Sequence, residues 1–358
     1  MFLRCYPRKT TQVPQLVLDE FILQNKGSEA NIIVTQPRRI SAIGVSERIA
    51  SERCEKVGDT CGYSIALERK VSRKTRLLLC TTGILLRRLQ CDPDLASVSH
   101  IFVDEVHERD LNTDFLLIIL KDLLARRKSL KLVLMSATLN ADAFKEFFQV
   151  QGCEIVSIPG RAHPVKEFRL EDILQLTGYE VQERSDYAVK SSNTADRLSK
   201  SELKKLYHPK GYDSKVIQSL SIVDESVVNY ELLANLLEHI ALNSDEGAIL
   251  VFLPGFMEIT KAIDEMNRKE FFQSPQVVIH PLHSSLSTAE QTAVFVVPPA
   301  GVRKVVVATN IAETSITIEG KSAESDSRFV VIVDSTNVTS LVPFRNRQML
   351  YMWWTLVE

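Results

Sequence analysis

The chain has 358 residues, enough for two domains with sizeable cores. Hydrophobic residues make up 45% of it and charged residues 25%, which is ordinary for a soluble α/β protein. The formal net charge of −2 gives no bulk electrostatic argument for binding nucleic acid. No apolar stretch approaches the length of a membrane span, and the N-terminus lacks the apolar segment of a signal peptide. We therefore expect an intracellular protein, cytoplasmic or nuclear, without a membrane partner.

Strand and helix patterns alternate in the first part of the chain. Apolar runs that predict buried strands lie at residues 31–35, 77–81, 101–104, 131–135 and 155–158. Helix-compatible patterns at 44–54 and 113–125 lie between them. This alternation predicts a parallel sheet, and so an α/β domain over residues 1–160.

The middle of the chain has a different composition. Residues 180–211 contain few large apolar side chains, which predicts a surface loop or a disordered insert. We therefore assign 161–245 to a linker that holds this insert and an amphipathic helix at 229–241. Apolar runs at 248–253, 277–281, 305–308 and 330–334 then predict a second α/β domain over 246–343, with a tail at 344–358.

The run Ile-Phe-Val-Asp-Glu-Val-His-Glu-Arg at residues 101–109 is the strongest chemical signal. Its apolar part predicts a buried parallel strand, so Asp104 and Glu105 would lie at the carboxyl end, where open α/β sheets bind ligands. Neighbouring carboxylates there suit nucleotide hydrolysis, because one can hold Mg²⁺ through its water shell and the other can orient the attacking water. Taken alone, the same acids could simply begin the next helix, whose dipole favours negative charge.

Six further blocks accompany the Asp-Glu-Val-His tetrad. They are Thr-Gln-Pro-Arg-Arg at 35–39, Thr-Thr-Gly at 81–83, Ser-Ala-Thr at 136–138, Val-Phe-Leu-Pro-Gly at 251–255, Leu-His-Ser at 282–284 and Ala-Thr-Asn-Ile-Ala-Glu-Thr-Ser-Ile-Thr at 308–317. In this order they resemble the DEAH/RHA family of superfamily 2, the DExH-box ATP-dependent RNA helicases, from about residue 9 to about residue 335.

The resemblance implies a fold and a set of ligands. The fold would be α/β, with two RecA-like parallel-sheet domains at 1–160 and 246–343. ATP, or another nucleoside triphosphate, would lie with Mg²⁺ in the cleft between them. Single-stranded RNA, or structured RNA with a 3′ overhang, would cross their top and be moved through in the 3′→5′ direction. A protein activator is a further partner that the family allows.

The resemblance also assigns nucleotide-site residues. Lys9 would neutralise phosphate oxygens, Thr10 and Asp104 would hold Mg²⁺, and Glu105 would orient the attacking water. The remaining positions are the relay residue His107, the coupling hydroxyls Ser136 and Thr138, the base-stacking Arg109 and Phe295, and the cleft residues Glu313, Ser315 and Glu319. From the residues alone, Phe295 could equally be a core side chain and Ser136 a helix N-cap.

RNA contacts are assigned by the same resemblance to Arg38, Arg39, Thr81, Thr82 and Thr309. They would bind the sugar–phosphate backbone, which gives affinity without sequence readout. The basic clusters at 69–76 and 126–131 are more typical of solvated helix faces. The prediction of RNA binding therefore depends on the blocks and not on bulk charge.

The start of the chain departs from the family pattern Gly-x-x-Gly-x-Gly-Lys-Thr. The three glycines fall here on Leu3, Tyr6 and Arg8. A loop that wraps phosphates needs glycine for positive φ and close backbone approach, and Pro7 removes a backbone donor. We expect a first domain without its phosphate-loop strand, weak binding of Mg-ATP and hydrolysis near background.

The family's Gln-x-x-Gly-Arg-x-Gly-Arg block, whose arginines stabilise charge on the γ-phosphate, has no counterpart in the sequence after 334. Because both departures lie near the ends, we expect an incomplete helicase copy with a truncated second domain, or one with misassigned ends. The alternative is a non-catalytic RNA- or protein-binding relic of the family. A different P-loop ATPase is a third hypothesis, which the block at 308–317 disfavours.

Overall fold

The computed structural model describes residues 9–136, 141–148, 154–156, 166, 168–189, 198–244, 247–312, 327–334 and 337–345. These residues form two compact units that divide between residues 161 and 162. Within the ranges described, no helix is both long and apolar enough to cross a membrane.

The first unit contains the strands β1 Ile32–Gln36, β2 Cys61–Ile65, β3 Glu68–Lys70, β4 Leu77–Thr81, β5 His100–Val103 and β6 Lys131–Leu134. They form one sheet in the order β3-β2-β4-β1-β5-β6. All neighbours pair in parallel except β2 and β3, which are antiparallel. The predicted parallel sheet is confirmed, although β2 and β3 were not predicted. In the strand predicted at 155–158, residues 155 and 156 are not in a strand, and the other two lie outside the described residues.

Helices cover both faces of this sheet. They are α1 Lys9–Leu23, α2 Arg39–Glu52, α3 Thr82–Cys91, α4 Leu111–Arg126 and α5 Ala141–Phe148. Side chains alternate along a strand, so Ile32 and Val34 share a core with α1 and α2, while Ile33 shares a core with α3 and α4. A strand buried on both faces has no polar side, which explains why the strands appear as continuous apolar runs in the sequence.

The second unit has the strands β7 Ile249–Phe252, β8 Val277–Leu282, β9 Arg303–Ala308, β10 Ser327–Asp334 and β11 Asn337–Arg345. Their order is β11-β10-β7-β9-β8, with β11 antiparallel to β10 and the other pairs parallel. Its helices are α6 Leu170–Thr177, α7 Lys200–Tyr207, α8 Ser214–Ile222, α9 Tyr230–Asn243, α10 Phe256–Asn267, α11 Glu270–Gln273 and α12 Thr288–Thr292. This unit is therefore also an α/β body around a mainly parallel sheet.

The prediction of a linker over 161–245 was wrong for the residues described there. Helices α6, α8 and α9 pack into the same core as the sheet, where Leu237 of α9 joins Ile249 and Val305. They fold onto the sheet because each presents a stripe of buried apolar residues to it.

The predicted polar insert at 180–211 contains a helix, α7. It begins with a reciprocal capping box, in which the Glu202 N–H donates to Ser199 Oγ at 3.3 Å and the Ser199 N–H donates to Glu202 Oε2 at 2.7 Å. The loop prediction was wrong here because the polar composition of the segment obscured this local start signal. Residues 190–197 of the insert lie outside the described residues.

Candidate functional site

The carboxyl edge of the first sheet holds two adjacent acids. Strands β1 and β5 are parallel neighbours, and just beyond β5 the Asp104 N–H donates to the Thr35 carbonyl at 3.2 Å. Asp104 and Glu105 are only 2% and 3% exposed. Both acids therefore lie at the edge where parallel sheets bind ligands, although neither is open to bulk water.

Gln36, the last residue of β1, holds the carboxylate of Asp104. Its Nε2 donates to Asp104 Oδ2 at 2.8 Å, while the Glu105 N–H donates to Asp104 Oδ1 at 2.9 Å. A buried carboxylate without such donors would be costly, so these bonds keep Asp104 in one orientation. The other amide atom of Gln36, Oε1, is buried and has no hydrogen-bond partner among the described residues. Sequence reasoning gave Gln36 no role, although its position at a strand end beside an acidic strand end was the available signal.

Glu105 lies between a lysine and a histidine. Lys9, the first residue of α1, places Nζ 3.4 Å from Glu105 Oε2, and His107 places Nδ1 3.4 Å from the same oxygen. Both distances are longer than a strong charge-assisted hydrogen bond, so neither contact to the Glu105 carboxylate is a short one. Three of the residues assigned to the nucleotide site are therefore in contact, although Lys9 precedes Glu105 by 96 positions.

The backbone of this region is in an uncommon conformation. Residues 106–108 form a short 3₁₀ turn, and the residues on either side of it, Glu105 and Arg109, have φ of 52° and 51°. Left-handed backbone at a residue other than glycine costs about 1 kcal/mol or more, and such residues cluster at functional sites. Helix α4 starts directly afterwards, with Asp110 as its N-cap. The acids thus sit on a strained segment between a strand and a helix.

The surroundings of His107 lower the pKa of its imidazole. Burial lowers the pKa of the imidazole first, and the positive charge of Lys9 lowers it further, against a smaller opposite effect of Glu108 and Asp104. At neutral pH the ring can therefore donate from one nitrogen and accept at the other. A neutral ring of this kind can relay a hydrogen bond without adding charge to the site.

The donor set fits a hydrated divalent cation. Carboxylate oxygens such as those of Asp104 are the ligands that Mg²⁺ prefers, and Thr10 brings a hydroxyl to the start of α1. In the part of the chain that is described, no group of three or more His, Cys, Asp or Glu side chains could hold a metal. An ion bound through one carboxylate and its own water shell suits this site, whereas a fully protein-ligated ion does not.

The two arginines assigned to RNA follow the end of β1. Arg38 lies just before α2, with extended backbone, and Arg39 is the first residue of that helix. Arg38 Nη2 lies 3.7 Å from Glu108 Oε2, and the two side chains are 21% and 18% exposed. Arg38, which we expect to bind RNA, is thus paired with Glu108, which lies in the same 3₁₀ turn as His107.

The assigned threonines differ in their access to solvent. Thr81 is half-buried at the end of β4, whereas Thr82 is buried and its hydroxyl lies 3.4 Å from that of Thr113. The Thr82 side chain is therefore directed toward α4, and its backbone would have to make any contact with RNA. Thr309 follows β9 in the second unit and is 8% exposed.

The remaining described positions are spread over both units. Arg109 is largely exposed and donates from Nε and Nη2 to Asp114, each at 2.8 Å. Ser136 is half-buried just after β6, and Phe295 is half-buried in a 3₁₀ turn of the second unit. The other predicted site residues, Thr138, Glu313, Ser315 and Glu319, lie outside the described residues.

Comparison with known proteins identifies relatives that match most of the chain. The helicase conserved C-terminal domain matches residues 229–338. The chain is 46% identical over 355 residues to the putative ATP-dependent RNA helicase DHX57 of Homo sapiens, covering 87% of this chain and 25% of that protein. It is 47% identical to the DExH-box ATP-dependent RNA helicase DExH1 of Arabidopsis thaliana, covering 87% and 32%. It is 45% identical to the ATP-dependent DNA/RNA helicase DHX36 of Bos taurus, again covering 87% and 32%.

The chain therefore spans between a quarter and a third of the length of these relatives. The matches cover 87% of this chain at 45–47% identity. They confirm the resemblance stated from the sequence. The chain belongs to the DExH-box family of ATP-dependent RNA helicases.

Proposed function

We propose that this chain binds a nucleoside triphosphate, chiefly ATP, together with Mg²⁺, and uses it, with impaired activity, to move along RNA in the 3′→5′ direction. The observation that carries the proposal is the cluster at the carboxyl edge of the first sheet. There Lys9 and His107 both lie 3.4 Å from the buried carboxylate of Glu105, next to Asp104. A lysine at a helix start beside two strand-end acids is suited to binding phosphate and activating water.

Each residue of the cluster has one task in this proposal. Lys9 leaves Glu105 and donates to phosphate oxygens, which the loose 3.4 Å contact permits. Glu105, so released, accepts a hydrogen bond from the attacking water and orients it toward the γ-phosphate. Asp104 and Thr10 would hold Mg²⁺, which would supply charge neutralisation when bound. His107 passes on the state of the site by hydrogen bonding.

Residues beyond the cluster have supporting tasks. Arg109 and Phe295 stack on the base, which is consistent with use of different nucleoside triphosphates because any base offers a π face. The coupling residues Ser136 and Thr138 and the cleft residues Glu313, Ser315 and Glu319 complete the proposed site.

The RNA is bound by its backbone. Arg38, Arg39 and Thr81 from the first unit and Thr309 from the second contact phosphates and sugars, and Thr82 contributes its backbone. The ligand is single-stranded RNA, or structured RNA with a 3′ overhang. Support comes from relatives that are named RNA helicases or, in the case of DHX36, a DNA/RNA helicase. A protein activator is a further partner that we propose by analogy with the family.

Residues before Lys9 weaken the phosphate site in this proposal. Leu3, Tyr6 and Arg8 occupy the positions of the family's loop glycines, and Pro7 lacks a backbone donor. We infer that the chain binds Mg-ATP weakly and hydrolyses it near background. The same residues favour a second candidate function, that of a non-catalytic RNA- or protein-binding member of the family.

Restoring the loop glycines decides between these functions, because both predict turnover near background for the unchanged chain. We expect turnover near background, and we expect the combined substitutions Leu3→Gly, Tyr6→Gly and Arg8→Gly to raise Mg-ATP affinity and RNA-stimulated hydrolysis. Adding Glu105→Gln should abolish the gain in hydrolysis but leave the gain in Mg-ATP affinity. If the glycine variant binds Mg-ATP no better than the wild type, the nucleotide proposal is wrong and the non-catalytic function takes its place.

RNA binding is tested separately, by titration of a single-stranded oligonucleotide over a range of salt concentrations. The logarithm of affinity should fall with that of salt, with a slope of about −0.7 for each neutralised phosphate. Arg38→Ala with Arg39→Ala should weaken binding and reduce the slope. Binding that depends on base sequence and not on salt would contradict the proposed backbone contacts.

A further inference from the structure

Glu108 links the proposed RNA surface to the acidic turn. It is the last residue of the 3₁₀ turn 106–108, and its Oε2 lies 3.7 Å from Nη2 of Arg38. Both side chains are about four-fifths buried, at 18% and 21% exposure, so the pair is shielded from solvent more than an ordinary surface pair. Sequence reasoning gave Glu108 no role.

The other end of the same turn carries the nucleotide-site acid. The Glu108 N–H donates to the Glu105 carbonyl at 3.0 Å, and the Glu105 carboxylate contacts Lys9. Both Glu105 and Arg109, which flank the turn, have left-handed backbone, so neighbouring contacts must hold the segment in place. The turn is therefore held on one side by a proposed phosphate ligand of ATP and on the other by a proposed phosphate ligand of RNA.

The geometry of the Arg38–Glu108 pair makes it exchangeable. A separation of 3.7 Å is longer than the 2.7–2.9 Å of a strong charge-assisted bond. A guanidinium donates to a phosphate in the same forked arrangement as to a carboxylate, and a phosphate offers more acceptor oxygens. RNA can thus take over the arginine, provided that it overcomes the attraction of Glu108.

We propose that the Glu108 carboxylate takes the place of an RNA phosphate by pairing with Arg38 when no RNA is bound. When an RNA phosphate replaces it, Glu108 no longer holds the 106–108 turn, which positions Glu105. This rests on the proposed binding of RNA through Arg38. In consequence Glu108 lowers the affinity for RNA and acts as a positioning residue for Glu105. Occupancy of the RNA surface is then communicated to the nucleotide-site acid by one side chain.

The test is a double-mutant cycle on RNA binding by the full chain. Anisotropy of a fluorescein-labelled oligouridine is measured with the wild type, Glu108→Gln, Arg38→Ala and the double variant. Glu108→Gln should tighten binding about two- to fivefold, the range of a partly shielded ion pair. In the Arg38→Ala background the same substitution should have no effect, because the arginine it would release is absent.

Asp94→Asn is the matched control. It removes one negative charge from the first unit and releases Arg126, which is paired with Asp94 at 2.8 Å on an exposed surface. It therefore reports the non-specific gain from charge alone. If Asp94→Asn tightens RNA binding as much as Glu108→Gln, or if Glu108→Gln acts equally without Arg38, the inference is wrong.

Hydrogen exchange of the turn gives a second, independent measurement. Without RNA, Glu108→Gln should accelerate exchange of the amides at 106–109, while thermal unfolding stays as in Asp94→Asn. A turn that exchanges at the wild-type rate in Glu108→Gln would remove the positioning role. If no variant binds RNA at all, the proposed RNA function itself fails, an outcome that is distinct from loss of the Arg38–Glu108 coupling.

Discussion

Arg303 allows the sharpest prediction of stability. It is the first residue of β9, and its guanidinium caps the end of α9. Nη1 donates to the Gly247 carbonyl at 2.9 Å, and Nη2 donates to the carbonyls of Ser244 at 2.9 Å and Ala241 at 3.2 Å. The last carbonyls of a helix have no partners within the helix, so this side chain satisfies groups that would otherwise be unpaired.

The magnitude follows from these contacts. The bonds to Gly247 and Ser244 come from a charged donor in a half-buried position and contribute about 1 kcal/mol or slightly more each. The positive charge at the helix C-terminus contributes about 0.5 kcal/mol. We therefore expect Arg303→Leu to destabilise the second unit by about 3 kcal/mol, which is on the order of a hundredfold in its opening equilibrium.

Native-state hydrogen exchange is the suitable assay, because the two units need not unfold in one step. Protected amides of α9 and β7 should exchange about a hundredfold faster in Arg303→Leu, while those of β1 and β5 should not change. Arg303→Lys should lie in between, since a lysine replaces only part of the fork. The control Arg126→Leu breaks a largely exposed pair with Asp94 and should cost less than about 0.5 kcal/mol. An acceleration in Arg303→Leu no larger than in this control, or one spread equally over both units, would refute the reasoning.

Three further predictions concern other features. Burial, and then the charge of Lys131, lowers the pKa of His100 in the folded chain, so the unfolded chain binds a proton there more readily. Acidification from about pH 7 to 5 should therefore destabilise the first unit, and His100→Phe should reduce that loss of stability in urea unfolding. An unchanged pH dependence in His100→Phe would show that other groups cause the loss. Ser199→Ala removes the capping box of α7 and should cost that helix about 1 kcal/mol, visible as faster exchange at 200–207 and not elsewhere. Leu111 and Ile118 of α4 are 85% and 52% exposed. The double substitution Leu111→Gln and Ile118→Gln should therefore leave stability almost unchanged but reduce concentration-dependent light scattering. A large loss of stability would mean that these side chains are packed.

The sequence alone predicted the buried parallel strands and the family. Continuous apolar runs between turn signals identified β1, β4, β5 and β6, because strands buried on both faces carry no polar side. The acids Asp104 and Glu105 could be placed at a strand end from that pattern alone. These features are local, so each can be recognised in a short window of residues.

The sequence did not predict elements correctly where a strand had no clear apolar run or where a segment contained many polar residues. The strand β3 is only three residues long and β11 pairs at a sheet edge, so neither formed a clear apolar run. Helix α7 lay in a segment with many polar residues, where only the spacing of Ser199 and Glu202 marks its start. Composition averages over a segment and therefore obscures a capping signal of four residues.

Only the tertiary structure decided which of the candidate residues are in contact. Lys9 reaches Glu105 because α1 and β5 belong to one folded unit, and Gln36 reaches Asp104 because β1 and β5 are neighbours in the sheet. These partners are 96 and 68 positions apart, so no local pattern relates them. Strand order and register bring them together, and these depend on packing across the whole unit. The sequence therefore determined which chemical groups are available and where each strand ends, whereas the fold determined their partners and with them the chemistry that they can perform.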